Sequence, residues 1–322
     1  MKKFIAILLA LMLLGLSAAS LAEGNTGEPT YTDMTSVTVT KVYKLVGAGS
    51  SPAETFTLEQ VGAGRVTSGE ATEAPALGTI TGAAFEAGAA TEDGAKGEIT
   101  IALPTYTNVG VYEYTLQEVA GKTAGVAYYG EQIRLVVTVI NDETGNLRVA
   151  AVHTESVGGE KSDTFANTYS AGTLNVTKTV TGNLGDKSQF FEFKVTLTGE
   201  ESKNYADSYA VSGGSYEGNP SSITIGEEAT FYLKHGETLS IANLPYGVSY
   251  TVTETAAKGY TTTKEGDSGS ITAATQTAAF TNERTTTVDT GITTDSLPYV
   301  LLLGIVALAG AVLFIKRRAN NG

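Results

Sequence analysis

A lysine, a glutamate and an asparagine occur in the same order twice along this chain. Lys41, Glu118 and Asn167 form the first set; Lys178, Glu254 and Asn282 form the second. Lysine and glutamate stand 77 positions apart in the first set and 76 in the second. Glutamate and asparagine are separated by 49 and 28 positions, so the second copy lacks about one hairpin before its asparagine. Side chains alternate faces along a strand. Lys41 shares a face with Val37 and Val39, and Lys178 with Leu174, Val176 and Val180. Glu118 follows Tyr112, Tyr114 and Leu116 on one face, and Glu254 follows Val248, Tyr250 and Val252. Asn167 lies with Phe165 and Tyr169, and Asn282 with Phe280. All of these polar groups therefore point toward a core. An unpaired buried charge costs several kcal/mol or more, so such groups pair or neutralise. Burial lowers the pKa of an amine and raises that of a carboxylic acid. A neutral lysine amine can attack an asparagine carboxamide, while a protonated glutamate polarises the carbonyl and passes protons to the departing ammonia. The product is a Lys–Asn isopeptide bond, made once within one chain. On this reading Glu118 and Glu254 promote the reaction, which makes the protein no enzyme in the turnover sense. Lys44 points to the face opposite Lys41 and has no counterpart in the second copy.

The segments that position these residues also recur. Residues 37–41 are echoed by 174–178, 110–118 by 247–254, and 165–167 by 280–282. A repeat of this length sets two domains, 31–170 and 171–284, and the short boundary 169–173 between them implies closely coupled domains and not beads on a flexible string. Short alternating runs at 36–45, 110–119, 133–140, 173–180, 190–197 and 247–254 predict strands, with a hairpin turn at 141–146. No long stretch carries a 3.6-residue apolar period. With 37 Gly, 16 Tyr, no Trp and abundant Val and Thr, the fold class is all-β.

Composition removes several functions. The chain has 322 residues, no Cys and only two His. Disulfides, thiol nucleophiles and cysteine-ligated metals are excluded, a histidine metal cluster is poorly supplied, and no cofactor or metal site is expected. A formal net charge of −13 repels phosphate and argues against nucleic acid as a partner. No Gly-x-Ser-x-Gly elbow supports a hydrolase.

Both ends read as addresses. Residues 1–22 combine Lys2 and Lys3, an apolar run and small residues at Ser20 and Ala22, and predict a signal peptide cleaved before Glu23. Residues 297–315 carry no charge and are long enough for a transmembrane helix, followed by a basic cytoplasmic tail at 316–322. Residues 285–296 form a linker between domain and span. Within it, Val288-Asp289-Thr290-Gly291 resembles a Gram-positive sortase sorting signal of the Val-Pro-Thr-Gly kind, with Asp289 in the place of proline. The resemblance implies cleavage between Thr290 and Gly291. The mature chain, 23–290, then keeps 21 − 5 = 16 basic and 34 − 1 = 33 acidic residues, a net charge of −17.

The Val-x-Val-Thr-Lys opening, the Gly-Val-x-Tyr-x-x-x-Glu strand and the Phe-x-Asn closing strand resemble the streptococcal T-antigen backbone pilin family, with its pilin isopeptide linkage domains. Residues 236–254 are also similar to collagen-binding-protein B-type modules. The resemblance covers nearly the whole mature chain. It implies two tandem immunoglobulin-like β-sandwiches, with Lys41–Asn167 and Lys178–Asn282 bonds that join the first and last strands of each. It also implies a structural role: the major shaft subunit of a sortase-assembled pilus on the cell wall of a Gram-positive bacterium, membrane-anchored only until sorting. Sortase, peptidoglycan and neighbouring copies of the chain would be its partners, copies being joined from Thr290 to an intersubunit lysine. Lys161, in a glycine-flanked stretch shortly before the closing strand of the first domain, fits that place; Lys122 and Lys187 are alternatives. The competing reading is a singly wall-anchored adhesin or minor pilin that binds a host surface or matrix ligand.

Overall fold

The computed structural model describes residues 33–156, 159–287 and 297–319. Among them are twenty-one strands and one helix, so the chain is mostly β. Two cores form. The first gathers Val39, Tyr43, Phe56, Tyr112, Tyr114, Leu135 and Phe165; the second gathers Leu174, Val176, Phe193, Phe231, Val252 and Phe280.

In the first unit, the opening strand Ser36–Gly47 lies between Ala95–Ala102, antiparallel, and Thr164–Thr181, parallel. Across the core runs a sheet in the order Leu147–Ser156, Ile133–Asn141, Gly110–Glu118, with Leu58–Gln60 and Arg65–Gly69 both paired to the last. In the second unit, Thr164–Thr181 continues between Thr238–Pro245, antiparallel, and Thr275–Glu283, parallel. Its facing sheet runs Glu228–Leu233, Phe191–Thr198, Ser249–Glu254, Ser268–Ser270.

One 18-residue strand, Thr164–Thr181, therefore serves both units. The boundary stretch 169–173 is strand interior. Along it Phe165, Asn167, Tyr169 and Ala171 are buried, then Leu174, Val176, Lys178 and Val180. Burial passes from odd to even positions. At that point the pairing with Thr238–Pro245 slips between Gly172 and Leu174. A bulge adds one residue to one strand, and a one-residue step turns every later side chain to the other face. Gly172 fits because a Cβ there would stand 2.2 Å from the Ala273 carbonyl oxygen.

Main-chain bonds flank this crossing. Ala48 N–H donates to Ala171 O at 2.8 Å, Tyr246 N–H to Ser170 O at 3.0 Å and Ala124 N–H to Asn204 O at 2.9 Å. Asn243, at φ 60°, accepts at its side-chain oxygen from Ser50 N–H at 2.9 Å and from the Tyr169 hydroxyl at 3.3 Å.

Apart from 173–180, whose strand already begins at Thr164, the edges of the expected strands depart by one or two residues. The Glu254 strand begins at Ser249 instead of 247, because Gly247 takes a φ of 92°, a left-handed turn conformation outside strand geometry. At the C-terminus a helix covers Leu297–Ala319; among the described residues no helix is long and apolar enough to cross a membrane. The leader at 1–22 and Val288, Asp289, Thr290 and Gly291 lie outside the described residues.

Candidate functional site

Parallel pairing of the opening and closing strands fixes the first site. Lys41 stands opposite Phe165 and Tyr43 opposite Asn167, so lysine and asparagine are diagonal neighbours on the core face. In the second unit Lys178 stands opposite Phe280 and Val180 opposite Asn282. The two-residue offset is identical. The glutamates come from the facing sheets, Glu118 at the end of Gly110–Glu118 and Glu254 at the end of Ser249–Glu254. Each reaches across the sandwich because its place in the alternation is the last inward one.

In the first site Lys41 Nζ donates to Glu118 Oε2 and to Asn167 Oδ1 at 2.8 Å. Asn167 Nδ2 donates to Glu118 Oε1 at 2.6 Å. The three groups close a ring, and Tyr129 main-chain N–H adds a fourth contact to Glu118 Oε1 at 3.2 Å. Lys41, Glu118 and Asn167 are at most 3% exposed. The rings of Phe56 and Tyr129 flank the ammonium, with centroids 5.3 and 5.7 Å from Nζ.

In the second site Lys178 Nζ donates to both Glu254 oxygens, at 2.9 and 2.7 Å. Asn282 Nδ2 donates to Glu254 Oε1, while Asn282 Oδ1 is buried without a hydrogen-bond partner. Phe191 and Phe193 flank this lysine, with centroids 4.3 and 5.7 Å from Nζ. In both sites burial pulls the lysine below its ordinary pKa, and the hydrogen bond and charge of the glutamate only partly oppose that.

One detail differs from the sequence reading. The glutamates were expected to polarise the asparagine carbonyl. Here both contact the carboxamide nitrogen, and in the first site the carbonyl oxygen faces lysine. The carboxyl is thus placed between the lysine amine and the carboxamide nitrogen. Residues missed from sequence are the flanking rings and Tyr129. Phe191 and Phe193 had a signal in their alternate spacing; Phe56 and Tyr129 reach Lys41 only through tertiary packing.

Lys44 is exposed, as its parity requires. Lys161 is also exposed, in the turn before Thr164–Thr181, bridged through its main chain to Glu155; it takes no part in either site.

The Spy0128-like isopeptide-containing domain matches residues 37–170, and a domain of unknown function, DUF7601, matches 172–284. A pilin of Streptococcus pyogenes serotype M1 is 31% identical over 236 residues, 66% of this chain and 69% of that protein. A pilus tip adhesin, Cpa, of the same species is 38% identical over 130 residues, which span 38% of this chain and 18% of the adhesin. Among solved structures, the major pilin from Streptococcus pyogenes aligns with a TM-score of 0.51 at 25% identity, over 79% of this chain and 100% of that one. With two thirds of a curated pilin spanned at this identity, and an isopeptide domain where the first buried Lys–Glu–Asn ring lies, the chain belongs to the streptococcal pilin family.

Proposed function

We propose that this chain is the shaft subunit of a wall-anchored pilus, and that each Lys–Glu–Asn site closes an isopeptide bond, Lys41–Asn167 and Lys178–Asn282. The observation that carries this reading is the repeated geometry: two buried triads with the same strand offset and the same glutamate between lysine amine and asparagine amide. Two such coincidences are hard to maintain as mere ion pairs, because a buried pair is at best weakly favourable against apolar side chains of similar volume.

The step balances without a co-reactant. A proton passes from Nζ to glutamate Oε2, leaving a neutral amine and a carboxylic acid. Nζ bonds to the asparagine Cγ. The acid gives its proton to Nδ2 and takes a second one from Nζ. The Cγ–Nδ2 bond breaks, and ammonia leaves. Glutamate, which touches both nitrogens, is the proton carrier.

The units 31–170 and 171–284 are immunoglobulin-like sandwiches in this reading. Residues 1–22 direct export, and 297–315 with the tail 316–322 hold the chain at the membrane. Sortase cuts after Thr290 within Val288-Asp289-Thr290-Gly291 and passes the acyl group to Lys161 of the next copy or to peptidoglycan. Because Asn167 and Lys178 share one strand, 178 − 167 = 11 positions of extended chain connect the two bonds, and tension passes between them along a single strand. The match to a pilus tip adhesin favours a second reading, a subunit attached singly and binding a host ligand.

Intact mass tests the chemistry. The parent should be lighter than its sequence by two ammonias, and Glu118→Ala or Glu254→Ala should each restore one; a parent at full sequence mass would refute the bonds. Immunoblots of wall extracts test the assembly. A high-mass ladder should vanish in a Lys161→Ala strain, whereas a single band in the parent would favour the adhesin.

A further inference from the structure

The two sites are alike in their triads but not in what surrounds them. In the first, Tyr129 makes two different contacts. Its main-chain N–H donates to Glu118 Oε1, the oxygen that also receives Asn167 Nδ2, so that Oε2 is the oxygen left to meet Lys41 Nζ. Its ring lies 5.7 Å from Nζ and packs edge-on against Phe165, at 5.2 Å between centroids. Phe165 is the residue paired directly opposite Lys41. The segment is held in place upstream, where Val126 and Ala127 pair with Tyr169 and Thr168 of the asparagine strand. Among the described residues, no main-chain N–H donates to Glu254. There lysine occupies both carboxyl oxygens, and the Asn282 carbonyl has no partner.

We infer that Tyr129 is a positioning residue for the first bond, orienting Glu118 through its main-chain N–H and helping to seal Lys41 from water, and that among the described residues the second site has no equivalent main-chain donor, although Phe191 and Phe193 seal its lysine. This rests on the isopeptide reading above and deepens it. A carboxyl already fixed between two nitrogens needs no reorientation before proton transfer, and such preorganisation speeds reaction. The Lys41–Asn167 bond therefore closes before Lys178–Asn282 in a newly folded chain. Glu118 is the charged group facing Lys41 Nζ; Asn167 and the rings of Phe56 and Tyr129 complete its surroundings.

The test follows both cross-linked peptides over time, by mass spectrometry, in the full chain made by cell-free synthesis. In the parent, the peptide holding Lys41 and Asn167 should appear first. Tyr129→Pro, which removes the main-chain donor to Glu118, should slow that bond by roughly tenfold or more; Tyr129→Ala, which keeps the donor and removes the ring, should move the alkaline rise of its rate to higher pH, because the amine is less shielded from water. The second bond should keep its parent rate, which also reports that the chain has folded. Tyr129→Phe keeps ring and main chain and should match the parent. Equal rates for Tyr129→Pro and parent, or equal slowing of both bonds, would overturn the assignment while leaving the isopeptide reading intact. A parent that never loses ammonia would overturn both.

Discussion

At Lys41 and Lys178 two effects oppose each other: burial favours the neutral amine, and the adjacent glutamate favours the ammonium. Burial is the larger at both, and the proposed isopeptide reaction needs that outcome, since only the neutral amine carries a lone pair. The same imbalance has a consequence for stability when the bond cannot form. In an Asn167→Ala, Asn282→Ala double variant both lysines stay free. Their folded-state pKa lies below the unfolded value of about 10.4, so between the two the folded chain binds fewer protons than the unfolded one. Stability then rises with pH through that window and, as pH drops, falls through it and levels off below the folded-state value. Urea midpoints measured from pH 7 to about 10 should climb more steeply for the double variant than for the parent, whose amines the proposed bonds consume. Parallel slopes would show that the lysines are not held below their ordinary range.

On the scale of the element, register decides everything. Asn167 meets Lys41 because it is diagonal to it on the inner face of parallel strands. Ala166, one position away, is exposed. Exchanging the two, Ala166→Asn with Asn167→Ala, keeps composition and nearly keeps sequence, yet turns the carboxamide to solvent. The expected mass is heavier by one ammonia, with the second bond unaffected; formation of both bonds in the exchanged chain would mean that the strand can slip. The bulge at Gly172 belongs to the same logic. Without an extra residue there, Asn167 and Lys178, an odd number of positions apart, could not both face inward in the two cores.

For the whole molecule, each bond would tie the ends of a sandwich together. Lys41 and Asn167 are 126 positions apart. By the chain-entropy argument used for disulfides, closing a loop of that size stabilises by about 5 kcal/mol. For a structure of this size that corresponds to roughly 10–20 °C in Tm. Calorimetry of Glu118→Ala should show a loss of that order in the transition that includes the first core. A loss of only a degree or two would mean that the bond contributes little beyond the packing of Phe56, Tyr112 and their neighbours.

The sequence by itself determined the all-β class, the repeated order of lysine, glutamate and asparagine, and the inward face of each of the six. Those follow from alternation, a local property with a period of two residues, which the backbone of a strand imposes wherever it occurs. Only the tertiary structure decided that the boundary 169–173 is the middle of one shared strand with a bulge in it, since a bulge is defined against a neighbouring strand remote in sequence. It alone placed Phe56 and Tyr129 at Lys41, set the carboxyl between the two nitrogens, and made the second site differ from the first. Each of these depends on which distant segments pack together, and no local pattern records that choice.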